Sequence, residues 1–347
     1  MSRLRVLIAD DSAFMRGAIA RLLGADDRFE VVGQARDGAE AVQLAAELSP
    51  HLVTMDFNMP GLNGAEATRR ILAAKPVGIV MLSAHTVQGA TETVAALAAG
   101  AVDFVTKPGG EVSTQLGEVR DELIQKLIAA SRARINAAAV EDPLPTSRRP
   151  ASSRTFPAPP PGLRLVVVAV STGGPAALER LMAKFPQRDS VAGVIVQHMP
   201  IGYTAALAER LDGIAACTVR EAKAGDKLKG GVVLVAPGGT HLEVDKLCNV
   251  RLTEAPPVHG VRPAADVTLK SAALAFGPRL IGVVMTGMGR DGATGLAAVK
   301  SAGGITLAQD AATSTIYGMP KAAVDLGVVD QILPLGELAG AIDRATR

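Results

Sequence analysis

Cysteine is scarce in this 347-residue chain, where only Cys217 and Cys248 occur. A structural metal site needs more ligands at tighter spacing, and a stapled secreted fold needs more pairs, so the two read as reduced thiols of a cytosolic protein. An excess of either charge is also missing. Lys and Arg number 36 against 34 Asp and Glu, a formal net charge of +2. That balance points to neither nucleic acid nor an anionic membrane as partner. Part of the small basic surplus is local, at Arg148, Arg149 and Arg154. No apolar run reaches the ~18 residues of a membrane span, so no membrane insertion is expected. The opening Met1–Asp10 stretch lacks a long apolar region with a cleavage site and reads as a first strand rather than a signal peptide. A cytoplasmic location follows as the expectation.

What is present is enough apolar material, 48% of residues, for the two or three domains that the length suggests. Up to about residue 136 short apolar runs alternate with helical spacing. Strands are predicted at Arg5–Ala9, Val31–Val32, His51–Met55, Gly78–Leu82 and Val102–Val105. Helices are predicted at Ala13–Leu23, Ala39–Leu48, Ala65–Ala74, Val87–Ala99 and from about Ser113 to Asn136. Five short strands each followed by a helix argue an α/β fold, a parallel sheet covered on both faces. Residues 137–162 change character: Pro143, Pro145, Pro150, Pro157, Pro159, Pro160 and Pro161 fall here among Ser, Thr and Arg. Such a stretch reads as an extended, semi-stiff linker. From Leu163 to the end the α/β pattern returns. Strands are expected at Leu163–Val170, Ala192–Gln197, Gly231–Ala236, Leu280–Thr286 and Gly304–Gln309. Helices are expected after Gly174 and at Thr204–Leu211, Ala264–Ala275 and Ala293–Ser301. His241–Val244 and Asn249–Thr253 suggest a hairpin. The domains are therefore placed at 1–136 and 163–347, both α/β, the second a doubly wound, mostly parallel sheet.

The first domain carries polar groups just past its strand ends: Asp10 and Asp11, Asp56, Ser83 and Lys107. In an open parallel sheet such groups converge on one crevice. Three carboxylates there make a hard oxygen site suited to Mg²⁺, and a carboxylate can act as nucleophile toward a phosphoryl group. Lys107 would help neutralise the transferring group, and Ser83 would hydrogen-bond the phosphate once formed. Ile8-Ala9-Asp10-Asp11-Ser12, the run Met55 to Gly64, and Asp103 to Pro108 resemble the receiver domain of bacterial response regulators. That resemblance implies a five-stranded flavodoxin-like domain in which Asp56 is the phosphoacceptor. It implies that Asp11, Asp56 and the carbonyl of Asn58 hold Mg²⁺ with help from Asp10, and that Ser83 and Phe104 form the switch.

Three residues stand in parallel positions in the second domain: Ser171 after the first strand, His198 after the second, and Asp291 in the Gly287–Gly292 loop. A nucleophile, a base and an orienting carboxylate need such a meeting point. Gly173 and Gly174 leave backbone N–H groups open at a helix start, which favours developing negative charge. The stretch is not a Gly-x-Ser-x-Gly elbow, and the order Ser, His, Asp differs from that of the α/β-hydrolases. Spacing alone leaves Ser171 readable as a helix cap or a phosphate-binding turn, though no Gly-x-Gly-x-x-Gly or Walker lysine accompanies it. It likewise leaves Asp291 readable as a turn residue.

Ser171–Pro175, Gln197–Pro200, Ala236–His241, Met285–Gly292, and Gln309-Asp310 through Ser314 to Tyr317–Pro320 resemble the catalytic domain of the chemotaxis protein-glutamate methylesterases (CheB). The resemblance implies that Ser171, His198 and Asp291 are a triad, that the Met288 N–H helps hold an oxyanion, and that Thr172 lies near the nucleophile. It implies hydrolysis of glutamate γ-methyl esters on chemoreceptors with release of methanol, and deamidation of receptor glutamines. A chemotaxis histidine kinase is the implied phosphodonor; Mg²⁺ is expected in the receiver and no cofactor in the esterase. The tethered receiver would cover the Ser171 crevice until phosphorylated. The rival reading is a response regulator whose output domain only binds a partner or nucleotide. One departure stands out: relatives read Arg-Pro-Ser followed by a residue and Asp, where this chain has Arg262-Pro263-Ala264-Ala265-Asp266. The lost hydroxyl predicts a weaker helix cap, by ~1 kcal/mol at most.

Overall fold

The computed structural model describes residues 3–83, 87–107, 116–135 and 162–347. The chain divides into two compact units, Met1–Leu144 and Pro145–Arg347. The linker expected over 137–162 lies, apart from Gly162, outside the described residues, as do Pro108 and the first residues of the helix expected from Ser113.

In the first unit five strands, β1 (Leu4–Ala9), β2 (Phe29–Ala35), β3 (Leu52–Asp56), β4 (Gly78–Ser83) and β5 (Asp103–Thr106), alternate with five helices. These are α1 (Ala13–Gly24), α2 (Gly38–Leu48), α3 (Gly64–Ala74), α4 (Val87–Ala98) and α5 (Leu116–Ser131). The strands pair in parallel in the order β2-β1-β3-β4-β5. Every residue of β3 and β4 is buried, the continuous apolar signature of strands covered on both faces. Val6, Ile8, Leu52, Val80 and Leu127 join one core. Side chains start the helices: Ser12, Asp37 and Asn63 accept from the N–H groups of Met15, Glu40 and Glu66. The chain leaves β1 toward β2 on one side and returns to β3 on the other, opening a crevice past the ends of β1 and β3.

The second unit contains β6 (Arg164–Val170), α6 (Gly174–Met182), β7 (Val191–Gln197), α7 (Tyr203–Asp212), β8 (Thr218–Glu221), β9 (Val232–Val235), β10 (His241–Val244) and β11 (Val250–Thr253). It continues through α8 (Ala265–Phe276), β12 (Leu280–Val284), α9 (Ala293–Ser301), β13 (Ile305–Gln309), α10 (Met319–Asp325), β14 (Gln331–Leu333) and α11 (Leu335–Ala345). A seven-stranded parallel sheet runs β14-β13-β12-β6-β7-β9-β8, with β10 and β11 as a separate antiparallel hairpin. The strand order reverses between β6 and β12. Ser171 follows β6, His198 follows the adjacent β7 and Asp291 follows β12, so the reversal places all three at one end of the sheet. No helix among the described residues is long and apolar enough to cross a membrane.

The α/β class and the hairpin agree with the sequence reading. Four elements exceed it. β8 and β14 are short outer strands of mixed burial and carry no apolar run to announce them. α10 begins with Met319-Pro320 and spans only seven residues. α11 does bury Leu335, Leu338, Ala339 and Ile342, a helical spacing present in the sequence beyond the last strand recognised there.

Candidate functional site

The receiver-like crevice brings together the strand-end residues singled out above. Lys107 Nζ lies 2.8 Å from Asp10 Oδ2 and 2.9 Å from Asp56 Oδ2. Asp10 and Asp56 are buried, whereas Asp11 is exposed. Each of the three carboxylates offers an oxygen within 4.8 Å of the others. Burial pushes the Asp56 carboxyl above its ordinary range, Lys107 pulls it back, and Asp10 and Asp11 add to the rise. Burial works against the charge on Lys107, but Asp56 and Asp10 outweigh it and leave its pKa raised. Three carboxylates thus face one ammonium. Negative charge is in surplus, and the all-oxygen donor set fits a hard divalent cation. Asn58 follows β3 by two residues and is exposed. Ser83, buried at the end of β4, has its Oγ 2.6 Å from Thr93 Oγ1, and both hydroxyls reach the Gly89 carbonyl of α4, at 3.3 and 2.6 Å. Phe104 is buried within β5, with the Lys126 ammonium 5.0 Å from its ring centre.

In the second crevice the backbone is held from several sides. The Ser171 N–H donates to the Thr286 carbonyl at 3.0 Å, and its carbonyl accepts from Gly174 N–H and Gln197 Nε2 at 2.8 and 3.0 Å. Gly173 has φ +76°, and a methyl there would fall 2.5 Å from Thr315; one on Gly174 would fall 2.0 Å from Gln197 Oε1. Only glycine fits this close turn. Thr172 is buried, its carbonyl accepting from Thr286 Oγ1 at 2.9 Å. His198 follows the Val170–Gln197 pair of the β6–β7 ladder, and its N–H donates to the Val170 carbonyl at 3.2 Å. Its Nε2 lies 2.7 Å from Asp291 Oδ2.

Asp291 is 2% exposed. Its Oδ2 also accepts from Ala265 N–H at 2.6 Å, and its Oδ1 accepts from Asp266 and Gly292 N–H at 2.9 and 3.0 Å. Burial alone would raise its pKa. The His198 bond and charge and the N–H groups of Asp266 and Ala265 outweigh that, holding it below the ordinary carboxylate range. An ionised carboxylate only accepts, so His198 Nε2 is the donor in this bond. Beside them, Gly287 packs so closely that a methyl on it would lie 2.8 Å from Ser171 Cβ. The Gly287 carbonyl accepts from Gly318 and Met319 N–H at 3.1 and 2.9 Å. In a trans peptide the following Met288 N–H points the opposite way.

Sequence reasoning missed several residues here. Thr286 and Gln309 tie the ends of β6, β12 and β13 together: Gln309 Oε1 accepts from Thr286 N–H at 2.9 Å. His241, buried, accepts from Ala264 N–H at Nδ1 and reaches the Pro256 carbonyl with Nε2, each at 3.1 Å. Asp266 and His259 form a pair at 2.9 Å. The weak cap expected at Ala264 is half right. Ala264 supplies no side-chain bond, but the Asp291 carboxylate takes the first two N–H groups of α8 in its place.

Fold and crevices together define a class: a response regulator receiver domain, matched over residues 6–114, followed by a parallel α/β output domain with serine, histidine and aspartate at its strand-order reversal. The output half settles which member of that class is at hand. The chain belongs to the CheB methylesterase family, which it matches over residues 166–342, as the motif resemblance implies. A Symbiobacterium thermophilum protein named protein-glutamate methylesterase/protein-glutamine glutaminase is 47% identical, the match covering 99% of this chain and 97% of that one. A Pyrococcus abyssi protein of the same name is 42% identical, with 99% and 94% covered. The crystal structure of the Thermotoga maritima CheB methylesterase catalytic domain is 38% identical and aligns with a TM-score of 0.51, over 52% of this chain and 97% of that one.

Proposed function

We propose that this chain is a phosphorylation-activated protein-glutamate methylesterase that also deamidates glutamine, acting on chemoreceptors in chemotactic adaptation. The observation that carries the reading is the bond of His198 Nε2 to a buried, ionised Asp291, and Ser171, at the end of the adjacent β6, supports it. Ser171 Oγ attacks the carbonyl of a glutamate γ-methyl ester while His198 Nδ1 takes its proton. Asp291 holds the ring and stabilises the imidazolium. The oxyanion is met by the Met288 N–H, whose peptide partner carbonyl is tied to Gly318 and Met319, and Thr172 shapes the adjoining wall. His198 returns its proton to the leaving methoxide, methanol departs, and water hydrolyses the acyl-enzyme by the same proton path. On glutamine the leaving group is ammonia.

Regulation rests in residues 1–136, joined by the linker 137–162 to the catalytic residues 163–347. Asp56 accepts a phosphoryl group from a chemotaxis histidine kinase. Asp10, Asp11, Asp56 and the Asn58 carbonyl would hold Mg²⁺, which supplies charge neutralisation at the transferring phosphoryl. Lys107 adds a second positive charge, and Ser83 and Phe104 report the modified state. Chemoreceptor glutamates on the cytoplasmic side place the protein in the cytoplasm. The deciding assay is methanol release from methylated chemoreceptor membranes, with and without acetyl phosphate and Mg²⁺. Release that rises on phosphorylation and disappears in Ser171→Ala is expected. Release that persists in Ser171→Ala would remove the serine from the mechanism.

A further inference from the structure

No α-helix described in the catalytic unit is capped by the side chain of its own preceding residue, and two of them, α8 and α9, start beside the His198–Asp291 pair. The residue before α8 is Ala264 and the residue before α9 is Gly292, and neither offers a side-chain bond to its helix. The missing bonds are supplied crosswise. Asp291, which immediately precedes Gly292, takes the Ala265 and Asp266 N–H groups that open α8. Asp266, in the first turn of α8, takes the Gly295 N–H of α9 at Oδ1 and the Thr294 hydroxyl at Oδ2, both at 2.6 Å. Each helix is therefore started by a carboxylate that belongs to the segment of the other, and one of those carboxylates is the His198 partner.

A second observation points the same way. Asp266 is 1% exposed, and its remaining bond is to His259 Nε2 at 2.9 Å. His259 occupies a two-residue hairpin turn: Val258 and Val261 exchange both backbone bonds at 3.1 Å, and φ is +55° at His259 and +78° at Gly260. Such a turn favours Asn or Asp at its first central position, and a histidine there is held in a sparsely populated conformation. The imidazole it presents to Asp266 is what the strained position delivers. His259, Asp266 and Asp291 also offer ligand atoms within 4.8 Å of one another. A cation there would have to displace main-chain N–H groups from Asp291, whose two oxygens already take four donors.

We infer that Asp266, braced by His259, is a positioning residue for the hydrolytic reaction: by capping α9 while its own N–H caps Asp291, it fixes the carboxylate that orients His198. The inference rests on the proposed triad. Asp266→Asn keeps the shape and an oxygen for Gly295 N–H, but turns an amide donor toward Thr294 and His259. It should lower kcat for methanol release by about tenfold or more, with KM unchanged. The rate at which a fluorophosphonate labels Ser171, which needs no receptor binding, should fall in parallel. His259→Asn, which suits the turn but cannot reach Asp266, should produce a smaller fall of the same kind. Thr306→Val, which removes buried hydrogen bonds to Val328 and Asp330, is the control for lost stability: it should lower the melting temperature and leave kcat and the labelling rate at wild type. Wild-type kcat and labelling in Asp266→Asn, or a fall equalled by Thr306→Val, would overturn the positioning role while the triad stands. Failure of the wild-type enzyme to be labelled at Ser171 would instead overturn the hydrolytic reading and this inference with it.

Discussion

At the residue scale, the two key aspartates lean in opposite directions for one physical reason. Both are buried, but Asp291 receives four hydrogen-bond donors while Asp56 shares a single ammonium with Asp10. The folded pKa of Asp291 lies below its unfolded value, so its contribution to stability is complete above about pH 4 and is lost as pH falls through the lowered folded value. Asp291→Asn should flatten that acid limb in melting experiments. It should also cut kcat on the order of 10³- to 10⁴-fold, because an amide cannot accept from every donor and favours the wrong imidazole tautomer. For Asp56 the sign reverses. Its folded pKa is raised, so the ionised form at neutral pH weakens the fold, and Asp56→Asn should melt some degrees higher than wild type in chelator. Added Mg²⁺ should raise the wild-type melting temperature more than that of the variant. A lower-melting Asp56→Asn would show that the Lys107 pair outweighs burial. Most of these groups were legible in the sequence, because a polar residue directly after an apolar run marks a strand end. Asp266, His259 and His241 were not, since their partners lie on other elements and no local pattern announces them.

At the scale of elements, α8 and α9 meet through a glycine. A methyl on Gly295 would sit 2.6 Å from Leu269 Cβ and 3.1 Å from Asp266 Oδ1. Gly295→Ala must spread the helices, and it should cost both stability, by about 1–3 kcal/mol, and turnover; an unchanged kcat would argue against strict placement of these helix starts. The departure at Ala264 tests the same arrangement. A serine there could accept from the second or third N–H of α8; Asp291 already takes the second, that of Asp266, which leaves Val267, so Ala264→Ser should raise stability by no more than the ~1 kcal/mol of an ordinary cap. A loss of stability in chemical denaturation would instead mean that the buried position has no room for the hydroxyl. The sequence made the long, fully buried strands plain, since residues 165–170 of β6 and 191–196 of β7 are apolar runs. It hid β8 and β14, where only three or four residues pair at or near the sheet edges and the alternation is too short to separate from a loop.

At the scale of the whole molecule, the two units repeat one solution: a parallel sheet whose strand order reverses, with polar side chains past the strand ends at the reversal. Their family membership and the receiver in front make turnover conditional on phosphorylation. Acetyl phosphate with Mg²⁺ should raise methanol release several-fold in wild type and leave Asp56→Asn at its basal rate, measured on the same receptor membranes. Stimulation that survives in Asp56→Asn would move the phosphoacceptor elsewhere. Domain order and class could be read from the alternation of strands and helices and from the polar residues at the strand ends.

Three of the four donors that hold Asp291 are main-chain groups, and only His198 contributes a side chain. Side-chain substitution cannot remove those three donors, because the N–H groups of Ala265, Asp266 and Gly292 survive every exchange except one to proline. The information that fixes this charge is written in the path of the backbone. Substitution surveys will undercount it, and a redesign that copies only the side chains of the site onto another scaffold will lose it.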